Sequence, residues 1–386
     1  MLKSIKLKNY TTFFGKPTEI DFSAKNYKIL EDENVGENRI LKGALFVGEN
    51  ASGKTQILKS IKLLLDVLFA NRKIDYSNII SFYTEAKEKT VKFEYTFVEN
   101  NSEIKYTIEF DYKGFKSEKL IVDNKEILDR IDDKAKLNLK GEKTFSDIPS
   151  NLSLLRRVYF DTNFYEDETL TKWFEYLKNS TYINCIKGFM NYDSIEDMRI
   201  NNYVEKNTTD EINKFFKEIN YRQKIKYDVE AKTKRVVFRS ANANEKFISF
   251  SKDETDTYIP IKYESIGNKV LLNILPAFLN AIKKDSMIII DEFSSGLHNE
   301  LEECLLKYFF HYSKNSQIFF VSHSTNILNN TLIRPDQVYS TEFNPKKGTV
   351  LTRFSDEKPR ESQNTEKMYL NGVFNGIPRY NKTFKN

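Results

Sequence analysis

Residues 48–55 read Gly-Glu-Asn-Ala-Ser-Gly-Lys-Thr, a G-x-x-x-x-G-K-[ST] spacing suited to one kind of chemistry, the binding of a nucleoside triphosphate. Gly48 and Gly53 leave room for backbone N–H groups to close around a phosphate, which a Cβ would block. A helix starting near Lys54 adds roughly half a positive charge at its N-terminus. Lys54 is expected to reach the β- and γ-phosphates, and the Thr55 hydroxyl to ligate Mg²⁺. Glu49, Asn50, Ala51, Ser52 and Gln56 complete the expected cradle, with ATP or GTP as its ligand.

Met287-Ile288-Ile289-Ile290-Asp291-Glu292 is four apolar residues followed by two carboxylates, the form of a Walker B strand. Asp291 is expected to meet the Mg²⁺ held by Thr55, which requires its strand to lie in the same sheet as the phosphate-loop strand. Glu292 would orient or deprotonate the attacking water; the alternative is a strand that ends in solvated acids. His323, in Ser322-His323-Ser324, follows the next apolar run. A residue just past the carboxyl end of a parallel strand lies on the ligand side of an open α/β sheet, so His323 is a candidate contact to the γ-phosphate, against a purely structural histidine. Ser265 and Gly267 stand where a long apolar helix begins and offer a second anion-binding helix end. One triphosphate rarely needs two such ends, so this one is expected to serve a nucleotide held by another subunit.

The positioning elements follow from hydrophobic period. Ala44-Leu45-Phe46-Val47 reads as a buried parallel strand, and Ile57, Leu58, Ile61, Leu64, Leu65 and Leu68 recur at helical spacing. Val91, Phe93, Tyr95 and Phe97, then Ile104, Tyr106, Ile108 and Phe110, alternate with polar residues around Asn100-Asn101, an antiparallel hairpin extended by Leu120-Ile121-Val122. Helices are predicted over 168–177, 209–219, 267–282 and 297–312, and strands over 225–229, 236–238, 247–250, 287–290 and 318–321. A last hairpin pairs 337–341 with 349–354, ahead of a polar tail. The fold class is therefore α/β with a mixed sheet, an antiparallel β lobe and an inserted, mainly helical subdomain. The expected division is 1–122, 123–220 and 221–386.

With 386 residues, 40% hydrophobic and 14% aromatic, the chain is globular and not disordered. Sixty basic residues against 55 acidic leave +5, spread along the length, which permits nucleic-acid contact without arguing for it. Cys185 and Cys304 stand far apart with no metal-ligand spacing, so neither a disulfide framework nor a zinc site is expected. Lys6 and Lys8 alternate with Ile5 and Leu7 as in a strand, unlike a signal peptide. The stretch 61–70 is broken by Lys62 and Asp66 and is too short to span a bilayer. A cytoplasmic protein without a membrane partner is the expectation.

The order phosphate loop, insertion, Ser265-Ile266-Gly267, Asp291-Glu292, Ser294-Ser295-Gly296-Leu297-His298 and His323 resembles an ABC-type ATPase head of the SMC-like group over nearly the whole chain. In that resemblance Gly48 to Thr55 is Walker A, Ile288 to Glu292 Walker B, Ser294 to His298 the D-loop and His323 the switch histidine. Glu264-Ser265-Ile266-Gly267-Asn268 is similar to the signature but departs from L-S-G-G-Q. That departure fits stand-alone ATPases of prokaryotic defence islands better than transporters. Arg334 to Tyr339 and the terminal Tyr369-Leu370-Asn371-Gly372-Val373-Phe374-Asn375-Gly376-Ile377-Pro378 resemble the ATPase half of two-gene abortive-infection pairs, the AbiL/RloA-like group, related to the ATPase domain of OLD-family nucleases. The resemblance implies ATP and Mg²⁺ as cofactors, a homodimer or higher oligomer through the ATP sites, and an effector or toxin partner, often a nuclease, encoded by a neighbouring gene. Two other readings stay open: an SMC-type DNA-repair or DNA-tethering ATPase, against which the missing heptad run counts, and a non-hydrolysing nucleotide-gated scaffold or sensor. Lys232, Lys234, Arg235 and Arg239 are the basic positions a nucleic acid would touch.

Overall fold

A strand followed within six residues by an amphipathic helix must fold that helix back onto its own sheet. Gly43–Gly48 and Lys54–Phe69 do this, and they anchor the sheet that carries the site. The computed structural model describes the chain except residues 71–73, 84–89, 187, 192–197, 241, 243, 253–254 and 378–386, so Pro378 of the terminal motif lies outside the described residues.

The core is a seven-stranded mixed sheet in the spatial order Gly188–Asn191, Thr181–Asn184, Met287–Asp291, Gln317–Val321, Gly43–Gly48, Val338–Asn344 and Gly348–Arg353. The inner five strands are parallel and each outermost strand is antiparallel to its neighbour. Covered on both faces, the three central strands are continuously apolar over 44–47, 287–290 and 318–321, as a buried parallel sheet requires. Ala44, Phe46, Met287, Ile289, Phe319 and Val321 face the Lys54–Phe69 helix. Leu45, Val47, Ile288, Ile290, Ile318 and Phe320 face the Ile266–Lys283 and Asn299–Tyr312 helices on the other side.

Beside this core lies an eight-stranded antiparallel sheet, ordered Thr18–Asp21, Leu2–Lys8, Val91–Glu99, Ser102–Asp111, Gly114–Val122, Lys125–Ile131, Lys134–Asn138 and Glu142–Phe145. The two helices expected within residues 123–220 are present as Glu168–Lys178 and Asp210–Glu218, and Leu154–Thr162 and Ile200–Asn207 are two further helices that were not predicted. That stretch is not helical throughout, however: residues 125–145 prolong the antiparallel sheet past the expected boundary at 122. The pattern hides this because Glu118 and Arg130 occupy inward positions where an alternating strand shows apolar residues. Both are fully buried. Arg130 donates to the carbonyls of Asp132, Pro149 and Leu152, and Glu118 accepts from Tyr106 Oη, Ser153 Oγ and the N–H groups of Leu154 and Leu155. The pair thereby fastens the start of the Leu154–Thr162 helix to the sheet. Thr181–Asn184, from the same stretch, is a core strand beside Met287–Asp291. The C-terminal lobe holds the small sheet Gln223–Asp228, Phe247–Lys252 and Tyr258–Pro260 and the hairpin Glu230–Lys232 with Val237–Arg239, close to the predicted strands. The tail expected to be polar forms a short helix, Thr365–Leu370, that packs on the core.

Gly43 opens the phosphate-loop strand at φ +151°, and a Cβ there would come within 2.0 Å of the Ile318 carbonyl oxygen. Gly43→Ala is expected to cost about 2–4 kcal/mol through backbone strain and overpacking. Urea unfolding reads the loss; an unchanged midpoint would contradict this close approach between the two strands.

Candidate functional site

The loop between Gly48 and Lys54 is shaped by space that only glycine leaves. Gly48 lies at φ +143° with a virtual Cβ 2.4 Å from Thr341 O, and Gly53, the N-cap of the helix, at φ +107° with one 2.4 Å from Thr349 Oγ1. Ser52 is buried; its Oγ lies 2.5 Å from Thr341 Oγ1, and its carbonyl accepts from Thr349 Oγ1 at 2.9 Å. Lys54 bends back over the loop and donates to Gly48 O at 2.9 Å and Glu49 O at 2.7 Å. Burial lowers its ammonium below the ordinary lysine range, against the opposing pull of Glu292, Asp291 and Glu49. Ala51 and Asn50 are exposed, while Gln56 accepts from Tyr10 Oη at 3.4 Å at the border of the antiparallel lobe.

Thr55 Oγ1 donates to Asp291 Oδ1 at 3.0 Å, joining two motifs 236 residues apart. Asp291 is 2% exposed, and its other oxygen accepts from Asn184 Nδ2 at 2.9 Å and Tyr182 Oη at 3.2 Å. A hydroxyl and a carboxylate side by side form an all-oxygen donor set of the kind Mg²⁺ takes. Asn184 and Tyr182 were not among the predicted site residues. Their strand is four residues long, and its only sequence signal is a polar side chain at the end of an apolar pair.

Glu292 sits at φ +61°, a left-handed conformation costing a non-glycine residue about 1–2 kcal/mol. The chain turns there, and Glu292 Oε2 lies 3.4 Å from His323 Nε2. The His323 N–H donates to Ser294 Oγ at 3.2 Å, which ties the segment 322–324 to the segment 294–298. The structure thus brings Lys54, Thr55, Asp291, Glu292 and His323 to one edge of the sheet.

Ser265 and Gly267 are placed apart from them. Ser265 caps the Ile266–Lys283 helix by accepting from the Asn268 N–H at 3.2 Å, and a Cβ at Gly267 would lie 2.7 Å from Gly296 O. This helix runs back along Met287–Asp291, so its N-terminus lies at the same carboxyl edge as the phosphate loop, but on the opposite face from the Lys54–Phe69 helix. Ile266, between the two residues, is 73% exposed.

Family comparison gives this geometry a context. Residues 44–329 match the family described as "AAA domain, putative AbiEii toxin, Type IV TA system". The chain belongs to that family. Among solved structures, an SMC head bound to the C-terminal winged-helix domain of ScpA aligns with TM-score 0.51 and 13% identity, covering 92% of this chain and 99% of that one. The SMC head of Thermotoga maritima aligns at 0.48 and 16% identity over 91% and 98%. An SMC head with an extended coiled coil from Pyrococcus furiosus aligns at 0.48 and 13% over 92% and 97%. The fold is that of an SMC-head-like ABC P-loop ATPase. No curated protein matches the chain. Among the described residues no helix is long and apolar enough to cross a membrane.

Under residues 322–324 of this AAA-family chain lies a carboxylate that motif reading passes over. Glu302, on the Asn299–Tyr312 helix, is fully buried and accepts from Ser324 Oγ at 3.2 Å and Ser322 Oγ at 3.5 Å. Burial pushes its carboxyl up to about 7, with Glu303 adding to the rise and the two hydroxyls opposing it. The folded state therefore holds this proton more tightly than the unfolded chain, with its ordinary value of 4.5. The associated stability is complete below about 4.5 and is lost as pH rises through about 7. Glu302→Gln keeps the shape and removes the titration. The variant should melt above the wild type at pH 8, by at most on the order of 3 kcal/mol, and the gap should close near pH 5; a gap independent of pH would refute it.

Proposed function

We propose that this chain is a Mg²⁺-dependent ATPase that closes as a dimer around two ATP molecules and controls a partner effector in anti-phage defence. The observation that carries the ATPase reading is the Thr55–Asp291 hydrogen bond with Glu292 and His323 beside it. Thr55 and Asp291 would hold Mg²⁺, which would supply positive charge to offset that of the phosphates. Lys54 and the loop N–H groups bind the β- and γ-phosphates and stabilise charge as it shifts during transfer. Glu292 takes the proton from water as its oxygen bonds to the γ-phosphorus and the bond to the β–γ bridging oxygen breaks, releasing ADP and phosphate. His323, already against Glu292, contacts the γ-phosphate.

Dimerisation is supported by the position of Ser265 and Gly267. They reach the correct edge on the wrong face for their own phosphate loop, and the exposed Ile266 leaves that helix end open to a second subunit. The effector and the defence setting are supported by the toxin–antitoxin wording of the family and by the resemblance of the terminal motif. The SMC-head fold favours a second reading, a DNA-binding ATPase. Against it, Lys232 and Arg239 already pair with Glu230 at 2.8 and 3.5 Å. A DNA affinity that falls steeply with salt would favour that reading.

Glu292→Gln should retain ATP binding, lower turnover by roughly 10²-fold or more, and accumulate as an ATP-dependent dimer on size-exclusion chromatography. Undiminished turnover in this variant would remove Glu292 from the mechanism, and a monomer at saturating ATP would remove the composite site.

A further inference from the structure

The terminal motif resembles a family signature, yet the ATPase chemistry assigns it no task. Its placement suggests one. Phe374 is fully buried with its ring parallel to Phe354 at 3.8 Å, and Tyr369 packs on Phe354 at 5.7 Å. The Phe374 carbonyl accepts from Ser340 Oγ. Gly376 lies at φ +71° against the next residue of that strand, where a Cβ would be 2.9 Å from Thr341 O. Thr341 pairs with Gly48 in the parallel ladder, and its hydroxyl meets Ser52 of the phosphate loop at 2.5 Å. Two short steps thus link the terminal segment to the loop. The Tyr369 hydroxyl, donating to Gly376 O at 3.3 Å, is pushed up to about 12 by burial and by the Glu49 carboxylate of the same loop.

The other end of the segment grips the chain just beyond His323. Thr365 Oγ1 bonds to Leu328 O at 2.5 Å and Asn330 Oδ1 at 2.6 Å, and Thr325 Oγ1 donates to Glu366 Oε1 at 2.8 Å. The helix Thr365–Leu370 packs on the 3₁₀ turn Thr325–Leu328. One continuous piece of thirteen residues, 365–377, therefore touches both the support of the phosphate loop and the support of the switch histidine. It adds to the link the sheet already makes between these two loops, whose strands are paired neighbours with Val321 beside Phe46.

We propose that residues 365–377 are a strap that positions the nucleotide site, setting the distance between the phosphate loop and the His323 loop. Phe374 and Ser340 are positioning residues for the first, and Thr365 for the second. The role rests on the ATPase reading above for its effect on turnover, but not for its effect on the loops themselves.

The two ends predict different defects. Phe374→Ala, and more mildly Ser340→Ala, should weaken ATP affinity by tenfold and about threefold respectively, with a smaller change in kcat. Thr365→Val should lower kcat several-fold and leave ATP affinity within a factor of two. Leu137→Ala, a buried truncation in the far antiparallel sheet, should lower the melting temperature without either defect. Hydrogen–deuterium exchange without nucleotide gives a readout independent of ATP. Phe374→Ala should speed exchange in residues 48–56, Thr365→Val in 323–328, and Leu137→Ala in neither. Equal exchange in all four proteins, or the same KM and kcat pattern in the strap variants as in Leu137→Ala, overturns the strap. A wild type that binds no ATP yet shows the expected exchange pattern overturns the ATPase reading and keeps the strap.

Discussion

The hydrogen bond from Thr55 to Asp291 exists only because a sheet sets two distant strands in register with one strand between them. Ile290 pairs with Phe320, and Phe320 with Leu45. Asp291, one step beyond Ile290, therefore points to the face that carries the Lys54–Phe69 helix, along with Met287 and Ile289. A slip of one residue would turn Ile290 to that face and bury the carboxylate among Leu45, Val47 and Phe320 on the other. The tolerance for such a slip is small, since each inner strand is closed on both faces and an ion pressed into either core would lose its solvation without gaining a partner. The apolar packing of the sheet thus fixes the geometry of its polar edge.

The same register explains what was legible in the sequence. Continuous apolar runs such as Ala44 to Val47 and Met287 to Ile290 announce strands covered on both sides, and their fixed polar endings announce the site. Thr181–Asn184 escapes that logic because four residues carry too little pattern, although its Asn184 reaches Asp291. The strands of residues 125–145 escape because Arg130 and Glu118 fill core positions with charge satisfied by backbone groups that only the folded chain supplies. Glu302 escapes for a related reason. Its helix reads as an ordinary amphipathic one, and nothing local says that the polar side chain turns inward beneath residues 322–324. Local pattern reports burial of apolar groups well, whereas a buried charge depends on partners remote in sequence.

The division of the phosphate-binding elements between two faces has a further consequence. The N-termini of the Lys54–Phe69 and Ile266–Lys283 helices lie at one edge with the full thickness of the sheet between their axes. Both carry free N–H groups and the positive end of a helix dipole, and dipole effects fade within a turn. Neither can strengthen the other's grip on a phosphate within one chain. If both act on the same triphosphate, they do so from different subunits, and then the separation is useful. In the proposed dimer a monomer would hold nucleotide with an incomplete site, and ATP itself would become the link between protomers.

Hydroxyl groups hold many of the contacts around this edge: Ser52 to Thr341, Thr349 to Thr12, Ser322 and Ser324 to Glu302, and Ser294 to the His323 backbone. A hydroxyl rotates, donates one proton and accepts through two lone pairs, so it can exchange a protein partner for a phosphate oxygen or a water without moving the main chain. Carboxylates or amides in those places would offer a fixed polarity or a larger plane to reorient. The apolar strands supply rigidity up to their last apolar residue, at Val47, Ile290 and Val321. The next residues supply groups whose bonds are individually modest, about 1 kcal/mol each, and therefore exchangeable. The proposed ATPase, which would bind and release an anion in every cycle, would be well served by that boundary, since the framework keeps its register while the edge trades one hydrogen bond for another of similar strength.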